Sequence, residues 1–282
     1  MEWVERLNQS IVYIEEHLTG EIDYERLGQI ACCSAYHYQR MFHYMAGVTL
    51  AEYIRRRKMS LAAVDLQGKH EKIIDIAAKY GYRSPTAFNR AFQSIHGIAP
   101  SAVNGGVAVK SFPPITFTIT VKGVEEMQYQ METKDAFRII GVSAPLHREV
   151  EQNFAVVPQM WQEAAQHGTI QKLAGMMEGP LMGLLGVSAC GDDEAWKYFI
   201  AVSSTMACGE FEEYTVPAST WAVFPGSGTS QSIQELERRI ITEWLPTSGY
   251  EYADAPDIEV YLNPDPQNAQ YEVWIPVRKK QS

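Results

Sequence analysis

Arg40 and Arg90 stand at matched places in two short stretches, CSAYHYQRMF (residues 33–42) and RSPTAFNRAF (83–92). A guanidinium is a planar, permanently charged fork of donors that suits paired acceptors such as a guanine edge or a phosphate. Its recurrence fifty positions apart implies that one local scaffold is used twice. A second chemical grouping lies toward the other end of the chain. Glu259 stands in IEVY between Ile258 and Val260, so on a strand its side chain points opposite to theirs. Trp161, Trp196, Tyr198, Trp221, Phe224, Tyr261 and Trp274 supply aromatic faces in the same half of the chain. A cation near such a face gains about 0.5–2 kcal/mol per good contact. A carboxylate among them is costly to bury unpaired, and a cationic ligand relieves that cost.

Other chemistries lack their residues. The sequence offers no Ser-His-Asp set, and GSG at 226–228 has neither the lysine nor the spacing of a phosphate-binding loop. The cysteines Cys32, Cys33, Cys190 and Cys208 include an adjacent pair but no CxxC, and read as reduced structural thiols. His37 and His43 have no acidic or cysteine partner at ligand spacing. Neither a metal nor a cofactor is expected.

The elements that must position these residues change character partway along the chain. Trp3, Leu7, Ile11, Ile14 and Leu18 fall on one face of an amphipathic helix that Gly20 ends. Asp23 is placed to cap a short helix, and Ser34 to cap the next, whose inward positions are Tyr38, Met41, Phe42 and Met45. Gly47 stops that helix. TLAE at 49–52 has the form of a capping box and opens a longer helix carrying RRRK at 55–58. Some of these basic side chains read as surface ion pairs. The scheme then restarts. IIDIAAKYGY is a short helix and turn, Ser84 a cap, Pro85 the first helical residue and Gly97 the terminator. A shift of fifty aligns Ser34 with Ser84, Tyr38 with Phe88, Phe42 with Phe92 and Gly47 with Gly97. The repeated unit of helix, tight turn and helix is the one that sets its second helix in a DNA major groove.

NGGVAVKSFPPI (104–115) loses the helical period and gathers Gly and Pro, which places the domain boundary at 108/109. Beyond it ITFTITV, MQYQM, WAVFP, IEVYL and YEVWIPV alternate as strands do. Two helices interrupt them, 156–168 and 232–245, the second opened by a Ser232/Glu235 box and carrying Trp244 as a core residue. The order suggests two similar α+β halves.

Charge follows the same division. Residues 1–110 hold 13 of the 24 basic and 11 of the 34 acidic side chains, leaving 11 basic against 23 acidic in the rest. A weakly basic front and an acidic rear suit a DNA-contacting module joined to one that stays off DNA. The longest apolar run, LMGLLGVSAC at 181–190, is about half of the roughly 20 residues a membrane span needs. The N-terminus lacks the order of a signal peptide. The expectation is therefore a cytoplasmic protein with no membrane partner.

Residues 1–102 resemble the DNA-binding domain of the AraC/XylS family, in which one long helix joins two helix-turn-helix units. The resemblance is carried by SAYHYQRMFHYMAGVTLAEYIRRRKMSLA and AAKYGYRSPTAFNRAFQSIHGIAPSAV. It departs at the tail, where Ala102 and Val103 follow Pro100 and Ser101 in place of an aromatic-arginine pair. The resemblance implies two recognition helices about 34 Å, one DNA turn, apart. It implies exposed contact positions at Ala35, Tyr36, Gln39 and Arg40 on the first and Thr86, Ala87, Asn89 and Arg90 on the second. Main-chain N–H groups near Ser34 and Ser84 would meet phosphates. Residues from about 109 to 282 resemble the GyrI-like effector-binding domain, most specifically in WAVFPGSGTSQSIQELERRIITEWLPTSGYEYADAPDIEVYLN and YEVWIPVRK. The order of the two domains resembles the Rob type of AraC-family protein.

The implied fold is multidomain. An all-α tandem helix-turn-helix domain (1–108) precedes an α+β domain (109–282) of two βαββ halves on antiparallel sheet, enclosing a cleft for lipophilic, often cationic molecules. The resemblance assigns Glu259 as the pocket carboxylate. The implied function is a one-component transcription regulator, of activator type, whose partners are double-stranded promoter DNA, a small-molecule effector and RNA polymerase. A monomer or a homodimer fits equally. Two alternatives stand: a hydrolase using Glu259 with Tyr198, as some GyrI-like relatives do, or a rear domain that only recruits proteins.

Overall fold

The computed structural model describes residues 3–68, 71–103, 107–118, 126–147, 150–190, 196–263 and 268–280. The chain divides into two compact units, Met1–Thr120 and Val121–Ser282.

The front unit is helical: α1 (Trp3–Glu16), α2 (Tyr24–Ala31), α3 (Ala35–Ala46), α4 (Leu50–Gly68), α5 (Ile73–Lys79) and α6 (Pro85–His96). Four of its helices, α2, α3, α4 and α6, begin where a side chain satisfies free N–H groups. Asp23 accepts from the N–H of Glu25 at 2.9 Å, Thr49 from Glu52 at 3.2 Å and Ser84 from Ala87 at 3.1 Å. Gly47 and Gly97 end α3 and α6 with φ of +67° and +77°. The repeated aromatics Tyr38, Phe42, Phe88 and Phe92 are fully buried. Phe42 packs on Tyr53 and Phe117, while Phe88 and Phe92 sit with Met59, Ala62, Ile76 and Tyr80.

The boundary differs from the expected one. The front unit extends to Thr120 rather than to 108 because the segment after α6 is tied back onto it. Phe112 donates its N–H to Ser60 at 2.9 Å and accepts from Arg57, and Phe117 exchanges two bonds with the Asn8 amide at 2.8 and 2.9 Å. Residues 115–118 of the expected strand ITFTITV are therefore an extended arm satisfied by a side chain. Residues 119–121 of that stretch, and 104–106 of the expected linker, lie outside the described residues.

The rear unit contains β1 (Gln130–Lys134), β2 (Phe137–Pro145), α7 (Val150–Gln166), α8 (Thr169–Ala174), β3 (Leu184–Cys190), β4 (Trp196–Ser203), β5 (Glu212–Val216), β6 (Ser219–Gly228), α9 (Ser230–Arg239), β7 (Tyr250–Tyr252), β8 (Asp257–Asn263) and β9 (Ala269–Lys279). Eight strands run β1-β6-β9-β8-β3-β4-β2-β5, all pairs antiparallel, and β7 pairs with β9. Two βαββ halves, β2-α7-β3-β4 and β6-α9-β8-β9, meet at the β3–β8 seam, with α8 an added turn in the first. The expected box at Ser232/Glu235 shifts by one turn. The helix starts at Ser230, Ser232 Oγ accepts from the N–H of Thr229 at 3.2 Å, and Glu235 pairs with Arg238. A π turn over Ile240–Trp244 carries the chain on from α9.

One face of the sheet is a closed apolar core of Phe137, Val187, Phe199, Trp221, Val223, Ile258, Val260 and Trp274. Strand alternation sends Gly186, Tyr198, Glu259 and Tyr261 to the other face.

Candidate functional site

The start of α6 presents the expected surface. Ser84, Thr86, Ala87 and Arg90 are exposed, and Asn89 is half-buried. The start of α3 does not. Ser34 and Arg40 are half-buried, while Ala35, Tyr36 and Gln39 are only 7, 9 and 7% exposed, which corrects the expectation that they are open. Three contacts hold these side chains in place. The Gln39 amide folds back onto the Ala35 carbonyl at 3.4 Å, the Arg40 guanidinium lies 5.9 Å above the Tyr36 ring, and Tyr36 meets His37 edge-on.

In the rear unit four of the expected residues come together. Glu259 Oε2 accepts the hydroxyl protons of Tyr261 at 2.8 Å and of Tyr198 at 3.1 Å. Trp161 Nε1 donates to the Tyr198 hydroxyl at 2.9 Å, and the Trp161 ring packs edge-on against Tyr261 with centroids 4.9 Å apart. Helix α7 thus supplies the indole, β4 one phenol, and β8 the carboxylate with the second phenol. Gly186 makes this possible. It lies opposite Glu259 in the β3–β8 ladder, and a Cβ there would fall 2.2 Å from the Tyr198 hydroxyl and 2.8 Å from Glu259 Oε2. Burial, and next the charge of Glu259, hold both phenols well above their ordinary pKa. Both hydroxyls stay protonated and act as donors.

The other expected ligand residues divide. Trp196 is half-buried on the same face as Tyr198 at the start of β4. Phe224 shares that face but is fully buried against Trp244 and Tyr129. Trp221 and Trp274 are corrected to core. They lie on the opposite face, 6.2 Å apart, with their indole N–H groups given to the Pro256 carbonyl and to Glu272. The physical reason is strand parity, which composition cannot reveal. Trp244 is core as expected.

Sequence reading missed Glu237. It is 5% exposed on α9, and its charge adds to the larger effect of burial in raising the pKa of Tyr198, Tyr261 and Tyr271. The signal was present. Ile233, Glu237, Ile240 and Trp244 are spaced by four, three and four, so this glutamate interrupts an apolar helical stripe.

The fold and these two surfaces define a helix-turn-helix protein with a small-molecule domain behind it. Residues 27–105 match the model of a helix-turn-helix domain, and residues 127–278 match that of the GyrI-like small molecule binding domain. The HTH-type transcriptional activator AarP of Providencia stuartii is 37% identical over 95 residues, covering 34% of this chain and 70% of AarP. The regulatory protein SoxS of Salmonella typhimurium is 36% identical over 91 residues, 32% of this chain and 85% of SoxS. The transcriptional regulator Rob of the same organism is 24% identical over 292 aligned positions, 95% of this chain and 96% of Rob. The chain belongs to the AraC/XylS family of transcription regulators, with a GyrI-like domain at its C-terminal end in the Rob-type order. Among the described residues no helix is long and apolar enough to cross a membrane.

Proposed function

We propose that the chain is a one-component regulator that reads two successive major-groove segments of promoter DNA and senses a lipophilic cation at Glu259. Ser84, Thr86, Ala87, Asn89 and Arg90 on α6 form the open contact set. Ser34, Ala35, Tyr36, Gln39 and Arg40 on α3 form the second, which must be uncovered to engage. The observation that carries the sensor reading is the Glu259 carboxylate held by two phenols beneath an indole edge. Aromatic walls with a fixed negative charge are the chemistry that recognises an organic cation. Trp161 touches both phenols of this set, so a ligand reaching Glu259 must displace it.

The test is a fluorescence titration of the full chain with a quaternary aryl cation and its neutral isostere, in the parent and in Glu259→Gln. The expected result is saturable quenching that favours the cation by 10-fold or more, about 1.4 kcal/mol, and loses that preference in the variant. Binding that ignores charge in both proteins would remove Glu259 from this role. No saturable binding would favour a rear unit that recruits proteins. The hydrolase reading fares less well on chemical grounds. Phenols with raised pKa are poor nucleophiles and poor bases at neutral pH.

A further inference from the structure

Four consecutive basic residues, Arg55 to Lys58, lie on α4, and the front unit neutralises three of them. Glu52 takes Arg55 and Arg56, the latter at 2.6 Å. Glu15 takes Arg57 through three bonds of 2.6 to 3.0 Å. Lys58 is different. Its Nζ donates to the main-chain carbonyls of Tyr80 at 3.1 Å and Gly20 at 3.4 Å, and it makes no carboxylate pair among the described residues. An ammonium has three protons to give, so these two contacts leave one. Burial alone lowers its pKa, as expected of a cation desolvated against carbonyl groups.

This half-buried cation faces a cleft of about 530 Å³. One wall is the Gly20–Tyr24 segment leading into α2, which includes the exposed carboxylate of Glu21; the other is the turn from Gly81 to Arg83 leading into α6. The cleft therefore has one wall from each helix-turn-helix unit. The two turns are not the same length. Cys33 donates to Gly28 O and Tyr82 to Ala77 O, both at 2.9 Å, so left-handed Cys32 corresponds to Gly81, with φ of +58° and +82°. The caps Ser34 and Ser84 follow, so the second turn holds one residue more, and that residue places the exposed Arg83 on the rim beside the cap of α6.

We propose that this cleft seats a backbone phosphodiester of the duplex between the two major-groove segments, held by Lys58 from within and Arg83 from the rim. The contact belongs to both repeats at once and fixes the register of one against the other on the strand. A phosphate supplies Lys58 with the counterion that its neighbours already have, and it carries no base information, so its effect is uniform across sequences. The proposal rests on DNA binding by the front unit.

The experiment measures affinity of the full chain for a mixed-sequence duplex of about 24 bp, a little over two helical turns. Salt is varied from about 50 to 200 mM for the parent, Lys58→Gln, Arg83→Gln, the double variant and Arg55→Gln. Each single variant of the cleft is expected to weaken binding and to reduce the slope of log K against log salt by about 0.9, the value of one phosphate. The double variant should lose about one contact and not two, because both side chains hold the same group. Arg55→Gln should retain the parent slope. Unchanged slopes for both Lys58→Gln and Arg83→Gln in a parent that binds would overturn the proposal, as would an equal loss in Arg55→Gln. Arg83 is exposed, so its variant carries the test if Lys58→Gln fails to fold. A parent that binds no duplex at low salt would overturn the DNA reading itself, and this inference with it.

Discussion

The two helix-turn-helix units share cap, buried aromatics and terminal glycine, yet the recognition surface is exposed in one and largely buried in the other. On α6 the side chains of Thr86, Ala87 and Arg90 are exposed, whereas on α3 Ala35, Tyr36 and Gln39 are buried. The turns differ too, with Cys32 holding the left-handed position in the first and Gly81 in the second. What recurs is what folds the unit; what differs is what the unit can present.

That comparison can be broken at its core, where the largest effects lie. Phe42→Ala and Phe92→Ala each empty a fully buried site and should cost about 3–5 kcal/mol, read as equal shifts in chemical-denaturation midpoint. A large cost for one and little for the other would deny that the repeats share one core design. Recognition should then separate the units. Arg90→Ala is expected to lose about 1–3 kcal/mol of discrimination at one base position in a binding-site selection, and Arg40→Ala less, since its guanidinium lies over Tyr36. Equal losses would show that α3 is open when the chain meets DNA.

The turns offer a change of sign. Gly81→Ala places a side chain at a φ of +82° and should destabilise by about 1 kcal/mol, whereas Cys32→Gly, at +58°, relieves a comparable cost and should be neutral or stabilising. Calorimetric midpoints of the two variants read this directly. The smallest effect is a pH dependence set in the second unit by His96. His96, matched by Ala46 in the first, bonds Met59 O through Nε2 at 3.0 Å and accepts from the Lys110 N–H at 3.1 Å. Burial, and then the Lys110 charge, hold its pKa below the ordinary 6.5. The unfolded chain therefore binds the proton first. The stabilisation is whole above about pH 6.5 and is lost as pH falls through that value toward the lower folded pKa. Acidification from pH 7.5 to 5.5 should lower the midpoint of the parent more than that of His96→Gln.

Much of this was legible in the residues. The helical face from Trp3 to Leu18, the caps Asp23, Ser34, Thr49 and Ser84, and the glycines ending α3 and α6 are local signals, read by neighbours three or four residues away. The strands WAVFP, IEVYL and YEVWIPV declare themselves by alternation, and the resemblance to known families supplied their grouping into halves. The arm at 115–118 was misread because its alternation is that of a strand while its hydrogen bonds come from Asn8, more than a hundred residues away. Glu237 went unnoticed although its place on an apolar stripe was visible.

The sequence by itself determined the repeat and the order of the two units, because each is written in side-chain type and spacing along the chain, while the resemblance to a known family singled out Glu259. Tertiary structure decided which aromatics share a face with that carboxylate. Trp161 and Tyr198 reach Glu259 while Trp221 and Trp274 do not, because strand parity and the β3–β8 register assign each side chain to a face. It also decided which of four adjacent basic residues pairs with no carboxylate among the described residues. Glu15 and Glu52 satisfy three of them, and only the approach of two distant main-chain carbonyls singles out Lys58. Partners of that kind are set by distance in space, which the order of residues does not encode.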